Sequence, residues 1–461
     1  GLGDVYKRQI YILVVGLLFL NSCHIYRNYQ RPEGLPVDSL YRQTPIASDD
    51  SLCLGDLPWQ ELFQDSQLQE LIQLGLENNT DMQIALLRVD QVRSQLQAAR
   101  LSFLPSLSLS PQGALSRTDG SKAVKTYELP IQASWEIDLF GKLRNAKQET
   151  QAVLLQQEAY QLAVRSDLIA NIANSYYTLL LLDDQIDLTT STLDVWKEQV
   201  RLLESRFKVG EETENAVTQA RASLYELEAS LTDLQKQLYE TENALCSLLG
   251  ITSRHIERTS LAEQQLPETG SIGIPLRLLS KRPDVVQAEM ELASTYYSTN
   301  QARSAFYPNL TLSGSAGWTN SLGEVVTNPG GWILSAIASL TQPIFNQGKL
   351  ISNLRVSKDE EQIALLNYKQ ALLNAGQEVN DALFATESAQ KSFDSHQKQC
   401  QELERSVTTA ESLYKTGNAT YLELLTARQS LLNAQQNLAS DSFTILQSTI
   451  NLYNALGGGT N

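Results

Sequence analysis

The chain repeats itself in order, at an offset that drifts only from 203 to 207 residues. Ala99-Arg100-Leu101-Ser102-Phe103-Leu104-Pro105 returns as Ala302-Arg303-Ser304-Ala305-Phe306-Tyr307-Pro308. Glu204-Ser205-Arg206-Phe207-Lys208-Val209-Gly210 returns as Glu411-Ser412-Leu413-Tyr414-Lys415-Thr416-Gly417. Ala220-Arg221 returns as Ala427-Arg428, and Leu249-Gly250 as Leu456-Gly457. Each half must therefore carry the same strands and helices, with a few residues of difference in one loop region. A duplication of this period points to a symmetric assembly rather than to a single catalytic cleft.

The repeated unit has two parts with different periods. After Pro105, odd positions from Leu107 to Leu115 are mostly apolar or Gly and even ones mostly polar. A polar turn follows (Thr118-Asp119-Gly120-Ser121-Lys122). Then Leu129, Ile131, Ala133, Trp135, Ile137 and Leu139 share one face, and Gln132, Ser134, Glu136 and Asp138 the other. Period two with one apolar and one polar face describes a strand between two unlike media. In the second half Leu310, Leu312, Gly314, Ala316 and Trp318 oppose Asn309, Thr311, Ser313 and Ser315. The return strand from Trp332 to Ile344 alternates less clearly. Between them lie Asn320, Gly323, Asn328, Pro329, Gly330 and Gly331.

These strands have the length of about 10–12 residues that a tilted strand needs to cross a bilayer. Phe103, Tyr127, Phe140, Phe306, Tyr307, Trp318, Trp332 and Phe345 sit near their ends, like interfacial girdles. A soluble sandwich would repeat its turns every roughly 8–12 residues, and only two hairpins are present. Four strands cannot close a barrel, and unpaired sheet edges in lipid cost several kcal/mol per group. Identical copies must share one barrel. Two copies give an interior filled by side chains, three give an aqueous lumen, and the polar inner faces favour three.

The second part is helical. From Lys142 to Lys208 there is neither Pro nor Gly, and from Lys349 to Lys415 only Gly376. A helix of that length would extend for about 100 Å. Each stretch ends at a glycine, Gly210 or Gly417, suited to a left-handed C-cap, and a returning helix runs to Gly250 or Gly457. Shorter helices precede each strand pair. Asn79-Thr80-Asp81 is a start signal with Thr80 or Asp81 as N-cap. In the second half Pro283 and Asp284 suit the first helical turn.

At the amino terminus Lys7-Arg8 precede an apolar run from Ile10 to Leu20. That run is too short to span a bilayer but suits a signal-peptide core. Leu20-Asn21-Ser22-Cys23 resembles a bacterial lipobox, which would make Cys23 a lipidated first residue; His24 after it favours outer-membrane delivery. Residues 1 to 9 read as translated adapter sequence. With 36 basic against 52 acidic residues and a net charge of −16, nucleic acid is excluded as a partner. The cysteines (Cys23, Cys53, Cys246, Cys400) and histidines (His24, His255, His396) are scattered. Their spacing supports no metal site, disulfide framework or catalytic set, and no cofactor or enzymatic activity is expected. A filamentous coiled coil would show sustained heptads and no strand hairpins.

Taken in order, Cys23, Trp59…Phe63-Gln64-Asp65…Leu68, Asn79-Thr80-Asp81, Phe103-x-Pro105, Leu139-Phe140-Gly141-Lys142, Arg282-Pro283-Asp284-Val285, Phe306-Tyr307-Pro308 and Leu456-Gly457-Gly458-Gly459 resemble the TolC-like outer-membrane factors. They resemble most the lipoprotein branch from multidrug efflux systems. The resemblance implies a mixed α/β membrane protein: a trimeric twelve-stranded outer-membrane β-barrel, four strands per chain, continuing into a long antiparallel α-helical periplasmic barrel. It implies a homotrimer, lipid-anchored in the outer membrane of a Gram-negative bacterium, that docks a periplasmic adaptor and an inner-membrane RND-type pump. The chain would then divide into a signal peptide (1–22), a lipidated extended segment (23–58) and a first repeat (59–250) with strand hairpin 103–140 and helical hairpin 142–249. An equatorial linker (251–274), a second repeat (275–457) with hairpins 306–345 and 349–456, and a tail (458–461) complete it. The function implied is the exit duct for drugs or other small molecules, with a type I protein-secretion conduit as the alternative. By the same resemblance the periplasmic gate falls at Tyr414, Gly417, Glu423 and Thr426, with Asn215 and Ala216 as first-half equivalents. Of the two positions acidic in some relatives, Glu423 and Thr426, only Glu423 is acidic here, so three copies would form one negative ring.

Overall fold

The computed structural model describes residues 26–32, 54–120, 123–264, 282–319 and 332–460. Cys23, the signal segment, the turn at 320–331 and the later part of the linker lie outside the described residues. In chain order the helices and strands are α1 (Trp59–Leu62), α2 (Ser66–Asn78), α3 (Thr80–Leu101), β1 (Ser106–Leu109), β2 (Gln112–Ser116), β3 (Val124–Ile137), α4 (Lys142–Lys208) and α5 (Glu214–Leu248). There follow α6 (Pro283–Ser304), β4 (Asn309–Thr319), β5 (Trp332–Thr341), α7 (Lys349–Lys415) and α8 (Tyr421–Ala455).

The duplication appears as equal helix lengths. α3 and α6 each have 22 residues, α4 and α7 each 67, α5 and α8 each 35. Helices before the strands are offset by 203 residues and those after them by 207. The difference is not confined to one loop, as the repeats suggest. Phe140-Gly141 corresponds to Phe345-Asn346-Gln347-Gly348, which takes up two residues, and the other two fall between Pro308 and Phe345. That longer joint carries Gln347 at φ 49°, in the left-handed region, just before Gly348 at 76°; the shorter joint manages with Gly141 alone at 75°.

One compact unit comprises residues 1–35, 87–159 and 286–370. It contains an antiparallel sheet in the order β1/β2–β3–β4–β5. β1 and β2 are one strand in a single register, since Leu109 faces Ile131 and Gln112 faces Glu128. The break lies where Ser110 meets Pro130. Ser110 N–H donates to the Pro130 carbonyl at 3.2 Å, but Pro130 has no N–H to return the second bond. By position there are thus the four strands expected. On the other side of Pro130, Gly317 permits close approach, because a Cβ there would come within 2.3 Å of the Leu129 oxygen.

The register joins both hairpins into one two-faced surface. Residues directly opposite in an antiparallel pair share a face. Ile131 pairs with Leu109 and Ala316, Trp135 with Leu312, and Leu310 with Leu340. On the other face Gln132 pairs with Ser108 and Ser315, Ser315 with Ser335, and Glu136 with Thr311. The unclear alternation of β5 is resolved here. Its even positions, Leu334 to Leu340, continue the apolar belt, while Ile337 falls on the polar face. The belt is exposed: Leu107 is 73% and Leu334 86% accessible. Trp318 pairs with Trp332 at one end of the sheet, and Phe140 stacks on Tyr307 at the other, with centroids 4.9 Å apart. No described helix is long and apolar enough to cross a membrane.

The second unit comprises residues 36–86, 160–285 and 371–461 and holds the main core. Tyr176, Tyr177, Phe63, Leu62, Leu68 and Ile72 are among its fully buried side chains. The Phe63-Gln64-Asp65 motif acquires a physical role there. Asp65 caps α2 through the Gln67 amide at 2.9 Å and also accepts from Tyr176 (2.7 Å), Thr259 (2.6 Å) and Gln264 (2.9 Å). Burial acts to raise its pKa, but those hydrogen bonds outweigh it and hold the carboxyl below its usual range. The linker is pinned at Arg258, which bonds Asp183 at 2.5 and 2.9 Å and Glu242 at 2.6 Å. Cys246 and Cys400 are free, buried thiols.

The two helix starts that resemble family motifs sit at matching places. Asn79, rather than Thr80 or Asp81, caps α3: its Oδ1 accepts from Met82 N at 2.9 Å, and its Nδ2 donates to the Leu248 carbonyl at 2.8 Å. Arg282, the second-half equivalent, donates to the Ala455 carbonyl at 2.7 Å and also pairs with Asp284 and Glu378. Leu248 and Ala455 are themselves equivalent. In each half, then, a residue ahead of the short helix closes the C-terminus of the returning helix.

Candidate functional site

The turns joining α4 to α5 and α7 to α8, with the helix ends that flank them, hold every gate residue nominated from sequence. Both turns solve the same end-of-helix problem. Gly417 at φ 74° lets Asn418 N–H reach the Leu413 carbonyl at 2.8 Å, and its own N–H reach Tyr414 at 3.1 Å. Gly210 at φ 82° does the same for Glu211 to Arg206 (2.9 Å) and Gly210 to Phe207 (3.0 Å). This pairing is the Schellman motif. A Cβ at either glycine would meet nothing within 4 Å, so only the backbone angle selects glycine.

Each returning helix starts at a threonine. Thr213 accepts from Ala216 N at 3.2 Å. Thr420 accepts from Glu423 N at 3.3 Å, and Glu423 Oε2 accepts from Thr420 N at 2.6 Å, completing a capping box. The backbone bond from Thr420, joined by its hydroxyl, holds the Glu423 carboxyl below its usual range, so it is ionised at neutral pH. Glu423 and Thr426 are exposed, and the Thr426 hydroxyl donates to its own helix at Leu422 (2.8 Å). Asn215 is exposed and Ala216 half-buried.

Tyr414 is where the two tips meet. Its hydroxyl donates to Glu212 Oε1 at 2.6 Å, across to the first-half turn. Its ring meets Tyr421 edge-on at 6.0 Å, and the Arg206 guanidinium lies 5.2 Å from the ring centre. Beneath are Trp196, Leu203 and Val217 from the first half and Leu424 and Leu432 from the second. Burial first, then the bond to the Glu212 carboxylate, push the Tyr414 pKa up to about 12, so the phenol remains a donor at any physiological pH. Glu212, Arg206 and Tyr421 were not nominated from sequence. The available signal was the departure from the repeat: Glu212 corresponds to Ala419, and Tyr414 to Phe207.

Each hairpin also carries an equivalent strap, Arg221 to Glu204 at 2.5 Å and Arg428 to Glu411. Among the described residues no group of His, Cys, Asp and Glu could hold a metal ion. The nominated lipidation site, Cys23, lies outside the described residues.

A sequence profile described as outer membrane efflux protein matches residues 71–251 and 274–458, one stretch in each half. The chain is 30% identical to the probable efflux pump outer membrane protein TtgC of Pseudomonas putida, over 98% of this chain and 96% of that protein. It is 29% identical to the cation efflux system protein CusC of Escherichia coli, over 96% and 97% respectively. Among solved structures, the open state of the Neisseria gonorrhoeae MtrE outer membrane channel superposes with a TM-score of 0.85 at 27% identity, over 95% of this chain and 99% of that one. A crystal structure of CusC superposes with a TM-score of 0.83 at 26% identity, over 95% and 100%.

Proposed function

The chain belongs to the outer membrane efflux protein family, and on that premise we propose that it is the outer-membrane exit channel of a tripartite efflux system. It conducts small molecules passively from a periplasmic adaptor and an inner-membrane RND-type pump to the outside. The single observation that carries the reading is the sheet. Its apolar belt runs across all strands on one face, and neither β1/β2 nor β5 has a partner for its outer edge among the described residues. In hydrocarbon those edges must be paired, and three copies closing twelve strands pair them while leaving room for a wet lumen along Gln132, Glu136 and Ser315.

Cys23 is the lipidation site, and the repeat order 59–250 and 275–457 is the domain plan. The gate is the tip contact: Tyr414 bonded to Glu212 holds the two hairpins together, Gly417 forms the turn, and Glu423 contributes one carboxylate per copy. Thr426, Asn215 and Ala216 flank it. The decisive measurement is the detergent-corrected mass of the purified protein. Three chains are expected; a folded monomer that remains soluble without detergent refutes the reading.

A further inference from the structure

One patch of the apolar face is hollow. Close to the break between β1 and β2, a notch of about 600 Å³ is lined from this face by Pro111, Gly113, Tyr127, Leu129 and Trp318. The register explains the grouping: Gly113 pairs with Tyr127 and Leu129 with Trp318, while Gln112 and Glu128 pair on the polar face. The hollow has a cause in the sequence. Gly113 has no side chain and Pro111 only a compact ring, and they lie beside two large aromatic residues. A Cβ at Gly113 would meet only the Thr126 oxygen, 3.9 Å away, so the space is open.

The charges at its rim are equally particular. Among the described strand residues of the apolar face, Lys125 is the one that carries a charge. It lies opposite Leu115, about 7 Å beyond Tyr127 towards the hairpin end of β3. Arg117 follows two residues after Leu115 on the other arm of that hairpin. Both are exposed, and neither forms an ion pair among the described residues, Asp119 in the turn included. A cation on the lipid-facing side is tolerated only near the interface, and there it attracts an anion. An open apolar slot below two uncompensated cations is complementary to a molecule with acyl chains below an anionic head.

The notch lies at the end of the sheet away from the helices. α3 and α6 enter at Ser106 and Asn309, and α4 and α7 leave after Ile137 and Thr341, all at the opposite end. With the helices in the periplasm, as the exit-channel reading has them, the notch is in the outer leaflet. We infer that it is a binding site for one phosphate-bearing acyl lipid of that leaflet. An acyl chain lies against Gly113 between Tyr127 and Trp318, and Lys125 and Arg117 donate to the head-group phosphate. The leaflet rests on the exit-channel reading; the pairing of slot and cations does not.

The test uses the full chain purified in detergent, with native mass spectrometry counting retained lipid. The probes are diphosphorylated hexaacyl lipid A, its dephosphorylated form and inorganic phosphate. The parent should retain about one diphosphorylated probe per chain and bind it about tenfold or more tighter than the dephosphorylated one, from two basic contacts each strengthening binding about fivefold. G113L fills the slot at a position with room for a side chain, and should weaken both acylated probes about tenfold. K125Q leaves the slot open and should cut the preference for the phosphorylated probe about fivefold. Parent-like binding by either variant, equal retention of the two acylated probes, or displacement of lipid by inorganic phosphate overturns the proposal. Assembly mass and planar-bilayer conductance should be unchanged in both variants. A parent chain that does not assemble fails the exit-channel reading, whereas an assembled one that retains no lipid fails the notch alone.

Discussion

The two halves of the chain match in length and differ in chemistry. Helices of 22, 67 and 35 residues recur to the residue, yet the contacts at their ends do not. Where the first half uses Asn79 to close its returning helix, the second uses Arg282. Where the first half has Phe207 and Ala216 at its tip, the second has Tyr414 and Glu423. Both tips keep the Arg–Glu strap, but Arg428 is 15% exposed against 51% for Arg221. Length is held because paired long helices must reverse at matching levels for their turns to meet. Side chains at the ends are freer to diverge, since each touches only a few neighbours, and the divergence marks what each half does alone.

The largest effect should come from removing the difference at the helix starts. Arg282→Ala deletes the donor to Ala455 and two ion pairs, costing about 2–3 kcal/mol; Asp284 and Glu378 reach solvent, so neither is left as a stranded buried charge. Asn79→Ala should cost about 1–2 kcal/mol, for one cap and one carbonyl bond. Thermal unfolding followed by circular dichroism ranks the two, and equal losses would mean the halves are closed equally firmly.

Next comes the tip. Tyr414→Phe makes the second half resemble the first and removes the bond to Glu212, about 1 kcal/mol of tip-to-tip contact or several-fold more opening. Planar-bilayer conductance should rise, while Phe207→Tyr should leave it unchanged; an unaltered Tyr414→Phe record removes this tyrosine from the gate. Burial of this phenol, together with the same bond, has a pH signature. The folded pKa of about 12 lies above the ordinary value of 10.0, so its stabilisation is complete below pH 10 and declines as pH rises towards 12. Difference absorbance between the parent and Tyr414→Phe should show one phenol titrating late; one that titrates at its ordinary value contradicts a buried phenol bonded to Glu212. The smallest effect is expected from Glu423→Ala, which reproduces Ala216. It should fray the first turn of α8, seen as faster amide exchange at Thr420, and weaken cation preference slightly. If exchange rises and selectivity does not, Glu423 serves the cap alone.

Legibility followed the range of the interaction. Gly210 and Gly417 were readable as helix ends because a left-handed cap is a local demand. The apolar belt of β3 was readable because strand period two is local. The belt of β5 was not, because Ile337 blurs the pattern and only pairing with β4 assigns its face. The gap between β1 and β2 depends on Pro130, a residue of the facing strand. Tyr414 was nominated by resemblance, but its partner Glu212 lies 202 residues away and nothing adjacent announces it. The cap of α3 fell one residue earlier than the start signal suggested, because Asn79 is also recruited by the Leu248 carbonyl.

Sequence alone therefore determined the duplication, which is a direct match between the halves, and the two periods, the lengths of the long helices and the glycines that end them, which are set by residues within a few positions of one another. Tertiary structure decided which strand faces pair and which side chains lock the tips. Those contacts join residues from 14 positions apart, as Trp318 and Trp332 are, to more than two hundred at the tips, and their energy exists only once the backbone has brought the partners together.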